Sequence, residues 1–247
     1  MFKNPDMFMD WLTSQLNFHQ YSAHNRALIY FQNPEARYVA SYLKWKELGF
    51  QVVKSGGIKV LCPVFLTVFT DKNDKTKSIK NATEDEKEAI KNGVLHTKKI
   101  LRDYTEKTVF DIACTNATEE DLVALQQKKN EYLYSFSAKE ISKKLCEYLE
   151  RPQNDPNPYK NIYNIVKDEV SKLAEEEGMF DENQKRIIEE GVTFVVLNQM
   201  QIDTTLFTFE TLKNIDYEND IDTLMSISKE ICNASDYMVN ELSKAFL

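Results

Sequence analysis

The chain has 247 residues, 42% hydrophobic and 28% charged, and a formal net charge of −8. This is an ordinary globular mix, long enough for one large domain or two small ones with a real hydrophobic core. No apolar run approaches membrane-spanning length, and the opening MFKNPDMFMDWL lacks a signal-peptide pattern, so the chain is expected in the cytoplasm.

The charge is unevenly spread. Residues 1–110 hold 17 Lys/Arg against 12 Asp/Glu, a net of +5, whereas residues 111–247 hold 14 against 27, a net of −13. A mildly basic front can attract phosphates, while an acidic back suits a basic protein partner or serves solubility. The four cysteines, Cys62, Cys114, Cys146 and Cys232, are far apart and form no CxxC. They read as free buried thiols in a reducing compartment.

In chain order, residues 5–17 predict an amphipathic helix with Phe8, Trp11, Leu12 and Leu16 on one side. Residues 21–33 predict a second, with Leu28 and Phe31 inward and Pro34 past its end. Residues 36–48 predict a third, with Val39, Tyr42, Leu43 and Leu48 apolar and Gly49 just beyond it. Phe50–Lys54 and Ile58–Phe69 are β-rich on either side of Ser55-Gly56-Gly57 and predict a hairpin. A polar loop follows at 71–82. Thr83 to Glu86 fits a capping box that would open a helix reaching about Tyr104. TVFDIA at 108–113 is strand-like, and a second capping box at Ser137 and Glu140 opens a helix ending before Pro152. PQNDPNP at 152–158 is the clearest linker. Helices are expected at 159–177, 182–200 and 220–246, the last carrying Ile221, Leu224, Ile227, Ile231, Met238, Leu242 and Phe246 in strong periodicity. The expected fold class is α+β: an N-terminal α+β domain with a small sheet over residues 1–127, and an all-helical half over residues 128–247.

Residues 18–63 carry the most specific pattern. Phe18, Tyr21, Ser22, Asn25, Leu28, Ile29, Gln32, Pro34 and Ala36 are followed by Val39, Ala40, Tyr42, Trp45 and Gly49, then by Gly57, Ile58, Val60 and Pro63. This order resembles the N-terminal domain of the ArdC/LtrC antirestriction family, and TVFDIACT at 108–115 resembles a later run of the same domain. The resemblance covers roughly residues 5–115. It implies a non-enzymatic anti-defence protein of a plasmid or phage, acting on single-stranded DNA or on a host defence nuclease.

Single strands are held by basic side chains along the backbone and by aromatic rings under the bases. Tyr21, Tyr42 and Trp45 are candidate stacking residues; Arg26, Arg37, Lys46, Lys54 and Lys59 are candidate phosphate contacts; Asn25 and Gln32 are candidate polar contacts. Each has a bland alternative as a core aromatic or a satisfied buried amide. The turn Val52-Val53-Lys54-Ser55-Gly56-Gly57-Ile58 keeps one lysine where the family commonly has a longer Lys-rich turn, which implies weaker DNA binding. The alternative function is an acidic protein–protein inhibitor that imitates DNA, in the manner of an anti-CRISPR.

Family members usually continue into a zinc peptidase domain with an HExxH helix. The chain has no HExxH, and its three histidines, His19, His24 and His96, all lie in the front part. No metal, cofactor or catalytic residue is therefore expected. Residues 189–196 followed by 201–205 resemble the segment after HExxH, with Glu190 at the third metal-ligand position, as in a peptidase remnant that has lost its zinc-binding helix. Glu175-Glu176-Glu177 reads as a solvated helix end.

Overall fold

The computed structural model describes residues 4–18, 20–71, 74–130, 136–175, 180–214 and 221–246. His19 and Glu176–Glu177 lie outside the described residues, as do the side chains of Leu16 and Ile221. The elements are α1 (Pro5–Asn17), α2 (Ala23–Gln32), β1 (Val39–Ser41), α3 (Tyr42–Glu47), β2 (Ile58–Thr70), β3 (Thr76–Ser78), α4 (Glu84–Lys91), β4 (Thr97–Asp111), α5 (Glu119–Asn130), α6 (Ala138–Tyr148), α7 (Pro158–Glu175), α8 (Glu182–Gln199) and α9 (Ile221–Ser243). The fold is mixed α+β, with the sheet in the N-terminal half and a helical C-terminal region. The strands form one sheet in the order β1-β4-β2-β3. The chain divides into two compact units, residues 1–58 with 110–247, and residues 59–109.

In the first unit the helices bury one large core. Phe8, Trp11 and Leu12 of α1 are fully buried, with Leu145, Ile162, Ile187, Val196 and Ile231 from the later helices. α8 packs on α9, α7 and α1, and α7 packs on α6. Burying each such side chain contributes about 1.5–3 kcal/mol. Ile227, Ile231, Met238, Leu242 and Phe246 are buried as their spacing predicts, and Leu224 is half-buried. The Ser137 capping box forms, with Glu140 N–H bonded to the Ser137 hydroxyl and Ser137 N–H to the Glu140 carboxylate. PQNDPNP connects α6 to α7 and is pinned by Asn161, whose Oδ1 accepts from the Asn154 and Asp155 N–H groups.

A second, smaller core in the same unit gathers Ala40, Trp45, Ile112 and Leu122, with Tyr38, Phe50 and Phe110 against it. Here residues 36–48 depart from the expected single helix. The Asp111 carboxylate accepts from the N–H groups of Arg37 and Tyr38, and the Ile112 N–H donates to the Tyr38 carbonyl. That pairing holds 37–41 extended, so the helix starts only at Tyr42, capped by the Ser41 hydroxyl. Gly49, at φ +91, ends it. Its N–H bonds the Lys46 carbonyl while the Phe50 N–H reaches the Trp45 carbonyl, a Schellman motif closed by edge contact of the Trp45 and Phe50 rings.

In α2 the inward face runs through Arg26, Ile29 and Tyr30, whereas Phe31 is 63% exposed and Leu28 half-buried. The expected hairpin between 50–54 and 58–69 does not form. Val52 makes a single bridge to Thr115, and the Val53 and Lys54 N–H groups donate to the Cys114 carbonyl instead.

The second unit holds β2, β3, α4 and the body of β4. β2 pairs antiparallel with β3, Val68 opposite Ser78 and Thr70 opposite Thr76, so the expected polar loop at 71–82 contains a strand. The Thr83–Glu86 capping box is present, but the helix it opens stops at Lys91 rather than near Tyr104. Gly93 takes φ +74, its N–H bonds the Ile90 carbonyl, and the Val94 N–H bonds the Ala89 carbonyl. A second Schellman motif thus ends α4 and frees residues 97–111 to form β4. Lys77 joins β3 to α4, reaching Asp71 and Glu86 at 2.9 Å each.

Candidate nucleic-acid interface

The ten residues with nucleic-acid-binding patterns occupy different environments. In the first unit, Trp45 is fully buried and donates its Nε1–H to the Phe110 carbonyl at 2.9 Å. Tyr21 is half-buried, with its hydroxyl donating to the Val39 carbonyl at 3.0 Å. Asn25 is buried at the start of α2. Arg26 is 2% exposed, donates from Nε to the Tyr21 carbonyl and forms an ion pair with Asp236 of α9. Gln32 is exposed and folds back to the Leu28 carbonyl. Arg37 grips Glu119 with two hydrogen bonds of 2.6 and 2.7 Å. That contact pushes the Arg37 pKa up and the Glu119 pKa down. These side chains hold the unit together.

Three more of the ten are exposed in the first unit, besides Gln32 and Arg37. Tyr42 is 57% exposed, and Lys46 stands one helical turn from it on α3, so the two share a face. Lys54 is exposed in the connection that leads to β2.

The tenth, Lys59, opens onto a surface in the second unit that sequence patterns do not reveal. Its ammonium reaches Glu106 at 3.0 Å and Thr108 at 3.1 Å, which sets residues of β2 and β4 on one face of the sheet. Strand side chains alternate between faces. Phe65 therefore shares that face with Lys59, and Lys98, Ile100, Arg102 and Tyr104 share it with Glu106. Phe65 and Tyr104 are each 54% exposed, and residues 97–107 are exposed throughout. From Lys98 to Tyr104 the strand runs roughly 20 Å at ~3.4 Å per residue. By that alternation two exposed rings, Phe65 and Tyr104, fall on the same face as Lys59, Lys98 and Arg102. The unit as a whole carries 11 Lys/Arg against 8 Asp/Glu.

Among the described residues no group of three or more His, Cys, Asp or Glu side chains could hold a metal ion. His24 and His96 are both exposed. Glu190 sits on α8, and residues 201–205 form the turn after it, with Gln201 at φ +57. No described helix is long and apolar enough to cross a membrane.

The chain is of the mixed α+β class, and its N-terminal half presents an exposed sheet strand carrying both basic and aromatic side chains. Residues 4–106 match the family model of the N-terminal domain of anti-restriction factor ArdC. The match associates the chain with antirestriction. The chain is also 30% identical over 146 residues to the uncharacterized protein pXO2-81 of Bacillus anthracis; the aligned segment covers 58% of the chain but 24% of that protein. No solved structure matches the chain.

Proposed function

We propose that the protein is a non-enzymatic antirestriction protein of a mobile genetic element, plasmid or phage, and that it acts in the cytoplasm by holding single-stranded DNA on the β2–β4 face. The observation that carries this reading is the pair of half-exposed rings, Phe65 and Tyr104, on a sheet face that also bears Lys59, Arg102 and Lys98. Exposed aromatic rings offer flat apolar faces on which bases can stack. Every base has a π-face, so such a platform binds without sequence preference, which suits a protein that must protect whatever strand enters. Tyr42, Lys46 and Lys54 extend the set of exposed candidate contacts in the first unit. Asn25, Arg26 and Trp45 support the fold beneath.

The test is protection of unmodified incoming DNA in a restricting host that expresses the protein. The Phe65→Ala/Tyr104→Ala variant is expected to lose protection while remaining folded, since both side chains are on the surface. Full protection by that variant would sink the DNA reading and point to direct contact with a host nuclease.

A further inference from the structure

We propose that the cavity formed in the first unit by α7, α8 and the 201–209 loop is a binding site for a cationic side chain with an apolar stem, presented by a basic peptide. This goes beyond the DNA reading and involves different residues. The cavity measures about 1200 Å³, somewhat above the roughly 300–1,000 Å³ of a typical ligand pocket.

Its lining combines aromatic faces with one carboxylate of unusual standing. Tyr159 is 53% exposed, and Tyr163 is held edge-on to Phe207 at 6.1 Å. Leu206 stands 91% exposed. Glu190 also lines the cavity. Its Oε1 accepts from the Thr211 hydroxyl at 3.0 Å, while its Oε2 is buried and has no hydrogen-bond partner among the described residues. Burial pushes the Glu190 pKa up; the Thr211 hydrogen bond and the more distant charges of Arg186 and Lys167 only offset part of that.

A buried carboxylate oxygen without a donor is costly, and pairing with a cation removes the cost. Lys160, a cation among the lining residues, is already engaged by Asp155 at 3.1 Å. Rings beside a carboxylate favour a cation carried on an apolar stem, and Leu206 offers apolar surface for that stem. An anionic ligand would face Glu190 and Asp203 together, and a neutral donor could bond Oε2 but would leave the carboxylate charge uncompensated. The loop is also built under tension. Gln201 and Phe209, both on the lining, adopt φ +57 and +47, a conformation that side-chain-bearing residues keep only where the surroundings enforce it. Asn198 ties the start of the loop to α8, donating to the Phe194 carbonyl and the Thr204 hydroxyl. The net charge of −13 over residues 111–247 would draw a basic partner towards this unit.

The experiment is calorimetric titration of the whole chain with acetyl-Gly-Arg-Gly-amide and with the same peptide bearing citrulline, which keeps the shape of arginine without its charge. Wild type is expected to bind the arginine peptide at least about thirty-fold more tightly, the usual minimum for leaving a buried charge unpaired. Glu190→Gln, with its thermal midpoint measured as a check on folding, is expected to abolish that preference. Tyr159→Ala, a surface change, is expected to weaken arginine binding without altering the fold. Equal affinity for the two peptides, no binding of either, or an unchanged preference in Glu190→Gln would overturn the proposal. No nucleic acid is present, so failure here leaves the DNA reading untouched, and the reverse also holds.

Discussion

The guanidinium of Arg26, in α2, is paired with the carboxylate of Asp236, in α9, across 210 positions of sequence. The ion pair ties the N-terminal pattern to the last helix within one compact unit. Its two ends are unequal: the Arg26 side chain is 2% exposed and the Asp236 side chain 38%. Removing Asp236 strands a buried charge, while removing Arg26 leaves a carboxylate that water can reach. Asp236→Ala is expected to cost about 2–3 kcal/mol, below the usual figure for a wholly buried pair, and Arg26→Met is expected to cost less. Urea unfolding of the two variants measures the order; the opposite order would contradict it.

α8 and α9 approach so closely at Gly191 that an added Cβ would lie 2.9 Å from Ile231 Cδ1 and 3.2 Å from its Cγ1. Ile231 is fully buried. Gly191→Ala gains about 1 kcal/mol of helix propensity and loses roughly 1–3 kcal/mol to overpacking. Ile231→Val alone loses about 0.5–1.5 kcal/mol. The double variant is expected to be more stable than the sum of the single effects, by about 0.5 kcal/mol or more in a double-mutant cycle. Strict additivity would show that the helices do not meet as described.

Lys77 holds Asp71 and Glu86 in the second unit. The Lys77 contact, then the Thr83 backbone N–H, keep the Glu86 pKa below its ordinary value. A depressed carboxylate contributes stability that is present above its unfolded pKa, near 4.5, and that is lost as pH falls through the lower folded value. The Lys77 pKa is raised, so its own contribution is full below its unfolded value near 10.5 and fades only as pH rises above that. Thermal unfolding of wild type and Glu86→Gln between pH 7 and pH 3, as an order-of-magnitude window around the carboxylate range, is expected to show a shallower acid decline in the variant. Parallel curves would remove Glu86 from the account.

The cysteines divide by burial. Cys146 and Cys232 are buried, while Cys62 and Cys114 are half-buried, so the expectation of four buried thiols holds for two. Burial pushes the Cys232 pKa up to about 12, and its thiol donates to Gln15 Oε1 at 3.2 Å. The thiolate is the reactive species. Iodoacetamide on the folded protein, read by mass spectrometry, is expected to label Cys62 and Cys114 and to spare Cys146 and Cys232 until denaturant is added. Early labelling of Cys232 would contradict its burial against Gln15.

The helices of the C-terminal region were legible because their information is local. Capping boxes at Ser137 and apolar spacing through Ile227, Ile231 and Met238 need no distant partner. The sheet was less legible because its information is non-local. Residues 37–41 are extended only because Asp111, far along the chain, accepts their N–H groups. β4 was hidden behind the capping box at Thr83, whose helix ends at Gly93 through a positive φ that only the folded turn displays. With β4 read as helix, Arg102 and Tyr104 could not be placed on a sheet with Phe65. α5 carried no clear signal, since its apolar residues at 122–125 are a short run without helical repeat.

The central claim is that the β2–β4 face binds single-stranded DNA through stacking and charge. Fluorescence anisotropy of a labelled single-stranded oligonucleotide, titrated with wild type, Phe65→Ala/Tyr104→Ala and Arg102→Glu at two salt concentrations, tests it most directly. Stacking contributes about 1–3 kcal/mol per base, so the aromatic variant is expected to bind at least about tenfold more weakly with its salt dependence retained. Arg102→Glu is expected to weaken binding and flatten the salt dependence. Wild-type binding that neither change reduces would contradict the assignment of this face.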